Sequence, residues 1–265
     1  MSVLRSKRHI AETEFEHTFS ELYAYSMEHT AAVPKRRKKW LCTNIDMTMN
    51  RLFDLIMEIN EGYYSKEEVQ QAHDDLIGQS LDCLIKLEKP LMIMWNVESY
   101  ETRKMAHWID IINREIVLLN NMHSNRKKKP KQIRILDWKK INSVAFLKNM
   151  SNFNRYVHGK VIHAKNRYDD TEASLLIRLV DDAFYSLMEA NFRIPETKKE
   201  YEERRKKISH AISCLNKMNR PMVFYFNTMQ YSERVMREWA DMLTNELKML
   251  YALQKSDKSR FRHLQ

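Results

Sequence analysis

Glycine is nearly absent from this chain: three in 265 residues, with five prolines. Tight turns, bulges and phosphate-cradling loops take glycine wherever the backbone needs a positive φ or a close approach. The shortage excludes doubly wound folds, barrels and sandwiches and leaves long helices joined by short connections. Cysteine is also scarce. Cys42, Cys83 and Cys214 are odd in number and include no C-x-x-C pair, which suits a reducing compartment and offers neither a disulfide framework nor a metal-spaced His/Cys set. No metal and no cofactor is expected. Long hydrophobic runs are missing as well: Pro90–Val97 and Pro221–Met229 fall far short of the roughly 20 apolar residues of a spanning helix. The basic start, Met1 to His9, has no apolar segment behind it, so no secretory signal is read and a soluble, cytoplasmic protein is expected. No glycine-rich phosphate loop or nucleophile elbow appears, and no catalytic residue is expected.

What is present is enough to build a core. Apolar residues make up 43% and charged residues 30%, with 17 methionines that suit adaptable packing. A chain of this size fits two modest domains better than one.

Those two domains are one unit written twice. A gapless shift of 131 residues places Ile10 on Ile141, Phe15 on Phe146, Tyr25 on Tyr156 and Arg36 on Arg167. The register continues through Phe53/Phe184, Asn60/Asn191, Cys83/Cys214 and Pro90/Pro221, and ends densely with Asn96/Asn227, Tyr100/Tyr231, Trp108/Trp239, Glu115/Glu246 and Leu119/Leu250. One register held over a hundred residues, tryptophans included, is a tandem duplication. The domains are read as 1–124 and 137–265, joined by a charged segment over 125–136.

Within each copy, apolar residues recur at spacings of three and four, as an amphipathic helix demands. Trp108, Ile112, Ile116 and Leu119 form one such stripe, and Trp239, Leu243, Leu247 and Leu250 form its counterpart. Capping-box patterns, Ser65-x-x-Glu68 and Thr197-x-x-Glu200, mark the start of the third helix. The first copy then reads as helices near 7–31, 35–61, 66–96 and 98–123. Pro90 and Pro221 fall inside the third helix and should kink or end it. The fold class is all-α, two tandem up-down-up-down four-helix bundles.

Charge separates the copies. Residues 1–130 hold 19 basic and 19 acidic side chains and residues 131–265 hold 26 and 16, so the net +10 lies in the second copy. On the third helix Glu67, Glu68, Asp74 and Asp75 become Lys198, Lys199, Arg205 and Lys206. That inversion reads either as complementary faces that dock within or between chains, or as drift on solvated surfaces. Cations cluster in four places: Lys35, Arg36, Arg37, Lys38 and Lys39 followed by Trp40; Arg126, Lys127, Lys128 and Lys129; Arg204, Arg205, Lys206 and Lys207; and the C-terminal Lys258, Arg260 and Arg262. Any one could be a solvated helix face. Together, at a sequence pI near 9.4, they point to a polyanion, with lysine and arginine neutralising phosphates and Trp40 placed to stack on an unpaired base.

Three further features carry chemistry or its appearance. Arg205-x4-His210 matches the Arg-x4-His pattern of helical HEPN-type ribonucleases, but the equivalents in copy one are Asp74 and Gln79, and a five-residue step turns about 140° around a helix. Glu115 and Glu246 lie on the buried seam of the fourth helix, seven residues after its tryptophan. Arg103 and Arg234, or Arg36 and Arg167, are the partners expected for them. Asn60/Asn191 and Asn96/Asn227 read as turn or cap residues.

The basic opening Ser2 to Arg8, the aromatic repeat of the first helix, the basic start of the second and four helices in about 120 residues resemble the small four-helix accessory variability proteins (Avd-like) of diversity-generating retroelements. They are similar also to the bundle found inside inserted ribosomal RNA sequences. The resemblance implies a basic protein without a catalytic centre that self-associates, binds RNA or DNA and supports a partner reverse transcriptase. Duplication, an acidic third helix in copy one and the long basic tail set this chain apart. The competing readings are the Arg205/His210 ribonuclease and a purely structural oligomerisation module.

Overall fold

The computed structural model describes residues 3–61, 67–125, 127, 129–134, 138–162, 167–192 and 194–265. The protein is all-α: among the described residues there is no strand. The chain divides into two compact units, Met1–Ile135 and Leu136–Gln265, and the division falls within the charged 125–136 segment.

The first unit contains α1 (Val3–Ala31), α2 (Lys35–Leu41), α3 (Thr43–Glu61), α4 (Glu67–Lys86), α5 (Glu88–Val97) and α6 (Thr102–Met122). The second contains α7 (Trp138–Ser143), α8 (Ala145–Val161), α9 (Arg167–Asn191), α10 (Lys198–Lys217), α11 (Asn219–Met229) and α12 (Glu233–Arg260), followed by a 3₁₀ turn over Arg262–Leu264. In the first unit the long helices pack in a closed cycle, α1 on α3, α3 on α4, α4 on α6 and α6 on α1. The second repeats it with α8, α9, α10 and α12. The cycle closes because each helix turns one apolar stripe inward: Trp108, Ile112, Ile116 and Leu119 are all buried on α6, as are Trp239, Leu243 and Leu250 on α12. Side chains of this kind each contribute about 1.5–3 kcal/mol by leaving water.

Backbone features repeat at the 131-residue offset. The predicted third helix is two rods in both copies, broken at Leu87 and Met218. Pro90 and Pro221 explain the breaks, because each lacks the N–H that would bond the carbonyl four residues back. The chain responds with a tighter step, Leu87 N–H donating to the Leu84 carbonyl (3.2 Å) and Met218 N–H to the Leu215 carbonyl (3.1 Å). Each proline then sits in the first turn of the next rod, where its missing donor is not needed. That rod ends on a left-handed residue, Ser99 (φ 50°) or Gln230 (φ 53°), after which Tyr100 N–H reaches the Trp95 carbonyl (3.1 Å) and Tyr231 N–H the Phe226 carbonyl (3.4 Å). The hydroxyls of Tyr25 and Tyr156 donate to the carbonyls of Lys104 (3.0 Å) and Val235 (3.4 Å), again equivalent positions.

Some boundaries depart from the sequence reading. The expected second helix of copy one is interrupted at Cys42, while its counterpart α9 is continuous. The first helix of copy two is interrupted at Val144, whose backbone is extended. The capping box at Thr197 and Glu200 is present; Ser65 lies outside the described residues.

Candidate nucleic-acid interface

The four predicted cation clusters meet different fates. Lys35 to Lys39 form the short helix α2, with Lys35, Arg36 and Lys39 exposed and Arg37 and Lys38 half-buried. Arg37 is committed to Glu98 at 3.0 Å, and Lys39 Nζ lies 4.8 Å from the centre of the half-buried Trp40 ring. Trp40 is therefore already engaged by a cation on its own helix.

The second cluster is no free linker. Asn120 grips Lys127 by both backbone groups, accepting from its N–H (3.2 Å) and donating to its carbonyl (2.8 Å). Asn113, two turns earlier on the same face of α6, does the same to Ile133 (2.9 and 3.3 Å). Ile133 is buried, and Arg134 N–H donates to the buried Glu88 carboxylate at 2.8 Å. The result is a strap held against its own unit, with Lys127 and Lys129 pointing out. Arg126 and Lys128 lie outside the described residues.

The third and fourth clusters come together. Arg204 turns inward and donates to Asp257 (2.6 Å), Asn191 Oδ1 (3.2 Å) and the Ala190 carbonyl. Asp257 is buried and the Arg204 side chain only 11% exposed, so Arg204 ties α10 to α12 and to the end of α9 and is no longer a candidate phosphate contact. Lys207 pairs with Glu189 at 3.2 Å. Arg205 and Lys206 stay exposed. On the facing helix α12 runs to Arg260, and Phe261 buries against Tyr201. The basic tail read from the sequence is the anchored end of this rod and the turn after it, with Lys258, Arg260 and Arg262 exposed.

Between α10 and α12 lies a groove of about 740 Å³. Arg205 lines one wall, Lys255 and Lys258 the other, and the exposed Tyr251 and the Ser209 hydroxyl complete it. Asp257 also reaches this groove, but its charge is matched by Arg204. A second groove of about 500 Å³, in the first unit, sets Glu14 and Asp110 beside His17 and Arg114 and so carries no cation excess.

The Arg205/His210 pair does not assemble. Arg205 faces the α12 groove, whereas His210 Nε2 lies 3.5 Å from Cys214 Sγ, on the side of α10 that meets α9. Asp182 of α9 joins them, and the ligand atoms of Asp182, His210 and Cys214 lie within 4.8 Å of one another. The sequence gives no sign of this set, because its third member is 28 residues away on another helix and the i, i+4 step from His210 to Cys214 is a single unremarked pair.

The two seam carboxylates correct another expectation. Glu115 and Glu246 are both fully buried, and among the described residues neither oxygen of either carboxylate has a hydrogen-bond partner. Arg36, Arg103 and Arg234 are exposed instead; the Arg167 side chain lies outside the described residues. Burial alone raises both acids, Glu115 well above the ordinary value and Glu246 from 4.5 to about 8. At neutral pH Glu246 is a neutral carboxylic acid. The Asn191 side chain acts as read, donating to the Leu187 carbonyl (2.7 Å) at the end of α9 while accepting from Arg204.

Among the described residues no helix is long and apolar enough to cross a membrane. No family model, curated protein or solved structure matches the chain.

Proposed function

We propose that the protein is a non-catalytic nucleic-acid-binding protein whose principal contact is the groove between α10 and α12. The supporting observation is convergence: Arg205 and Lys258, from two clusters more than fifty residues apart in sequence, line one concave surface with Lys255. Three cations there neutralise phosphates, and the ring of Tyr251, 52% exposed, offers a face to an unpaired base. The exposed Lys35, Arg36 and Lys39 on α2, the strap cations Lys127 and Lys129, and Lys206, Arg260 and Arg262 add sequence-independent attraction. On the resemblance drawn from the sequence, the machine served is a reverse transcriptase and the protein self-associates to serve it.

Titration of fluorescently labelled single-stranded RNA and DNA over a range of salt concentrations tests the reading. Affinity should fall with salt at a slope of about −0.7 per phosphate neutralised. Replacing Arg205, Lys255 and Lys258 together by alanine should weaken binding and flatten the slope by about 2. Absence of binding at low salt, or a triple variant with the parent's affinity and slope, overturns the proposal. Sedimentation with a retroelement reverse transcriptase tests the accessory role, and failure to form a complex at micromolar concentrations removes it.

A further inference from the structure

The contact between α9 and α10 contains three side chains whose donor atoms converge. Cys214 is buried, Asp182 half-buried and His210 exposed. His210 and Cys214 stand one turn apart on α10, a spacing that sets two ligands side by side on a helix face, and Asp182 approaches from α9. The separation of 3.5 Å between His210 Nε2 and Cys214 Sγ suits a hydrogen bond and equally a shared metal ion. In a tetrahedral zinc centre with Zn–S near 2.3 Å and Zn–N near 2.0 Å, the S···N edge is about 3.5 Å.

The duplication supplies an internal comparison. The positions equivalent to Asp182, His210 and Cys214 are Arg51, Gln79 and Cys83. They converge likewise: Arg51 Nη2 donates to Gln79 Oε1 at 3.2 Å, with Gln79 exposed and Cys83 buried as their counterparts are. A guanidinium and an amide fill copy one, and neither belongs to the Cys, His and carboxylate set that binds zinc. The copies share the cysteine and differ at both partners, with ligating residues in copy two and one pair opposite in charge. Drift would have to make both changes, in the same three-residue set and in the same sense.

We propose that Asp182, His210 and Cys214 form a zinc site with three protein ligands and an open fourth position. The borderline-soft thiolate and imidazole select Zn²⁺ over Mg²⁺ or Ca²⁺. Exposed His210 gives the ion its way in. Binding exchanges the thiol proton for the metal and pins α9 to α10 about one and a half turns from Arg205, without adding a charge to the groove itself. The site is independent of the nucleic-acid reading.

Cobalt substitution tests the proposal on the full chain, kept reduced. One equivalent of Co²⁺ should give a sulfur-to-cobalt charge-transfer band with visible bands of tetrahedral intensity, displaced by one equivalent of Zn²⁺. The signal should vanish in Cys214→Ala, survive in Cys83→Ala, and weaken in affinity by more than about 100-fold in His210→Ala and Asp182→Asn, beyond the cost of losing an outer partner. His210→Ala changes an exposed side chain and leaves folding intact. Adding Arg51→Asp and Gln79→His should create a second site and raise the stoichiometry to two. Absence of the charge-transfer band, an undiminished cobalt affinity in His210→Ala, or a stoichiometry that stays at one in the double variant overturns the assignment.

Discussion

Replacing Glu246 by glutamine should stabilise the second unit at neutral pH and leave it unchanged in acid. The folded chain holds this carboxyl protonated up to about pH 8, while the unfolded chain releases the proton near 4.5. Its folded pKa is raised, so the folded state binds the proton more tightly. Stability is therefore greatest below 4.5 and falls as pH climbs towards 8, by about 1.4 kcal/mol for each unit. At pH 7 the loss is roughly 3 kcal/mol, a large share of the 5–15 kcal/mol typical of a domain. Glutamine has the shape of the neutral acid and no proton to lose, so Glu246→Gln should exceed the parent by that amount at pH 7. Urea unfolding at half-unit steps from pH 4.5 to 8, followed by tryptophan fluorescence, reads the difference directly. Taking the difference between variant and parent cancels the other titrating groups. A gap that is absent at pH 7, or that persists undiminished at pH 4.5, refutes the reasoning. Glu115→Gln should act in the same direction in the first unit.

Arg204→Ala should cost about 3–5 kcal/mol, because it leaves Asp257 buried and unpaired, whereas Arg205→Ala should leave the melting temperature within a degree or two while weakening RNA binding. Ser26→Ala removes the acceptor of the buried Trp108 indole N–H (3.0 Å) and should cost about 1–3 kcal/mol by chemical denaturation. The second copy already lives with that loss, since Val157 occupies the equivalent place and the Trp239 N–H has no partner among the described residues. Ser99→Gly and Gln230→Gly relieve a left-handed backbone and should each raise stability by about 1 kcal/mol in thermal melts.

The all-α architecture was legible because periodicity and duplication are global signals. The stripes of α6 and α12 needed only spacing, and the two prolines announced the breaks at Leu87 and Met218. Glycine poverty pointed the right way about sheets but hid the turns at Ser99 and Gln230, which take a glycine-like conformation with ordinary residues. Site details were less readable for a definite reason. Whether a cation is free depends on what faces it across the bundle, and a linear cluster carries no such information. Arg204 and Arg205 are neighbours in sequence, yet one is an internal tie and the other lines a groove. The same blindness let a salt bridge be expected for Glu246, and let Asp182 pass unnoticed.

The Arg204–Asp257 tie and the seat of Phe261 on Tyr201 reach beyond stability. They freeze the last two turns of the chain before any ligand arrives, so Lys255 and Lys258 stand at fixed spacing opposite Arg205. A dangling basic tail would surrender backbone and rotamer entropy on every encounter. Here that ordering is complete when the domain folds, and a polymer settling into the groove meets a template already cast.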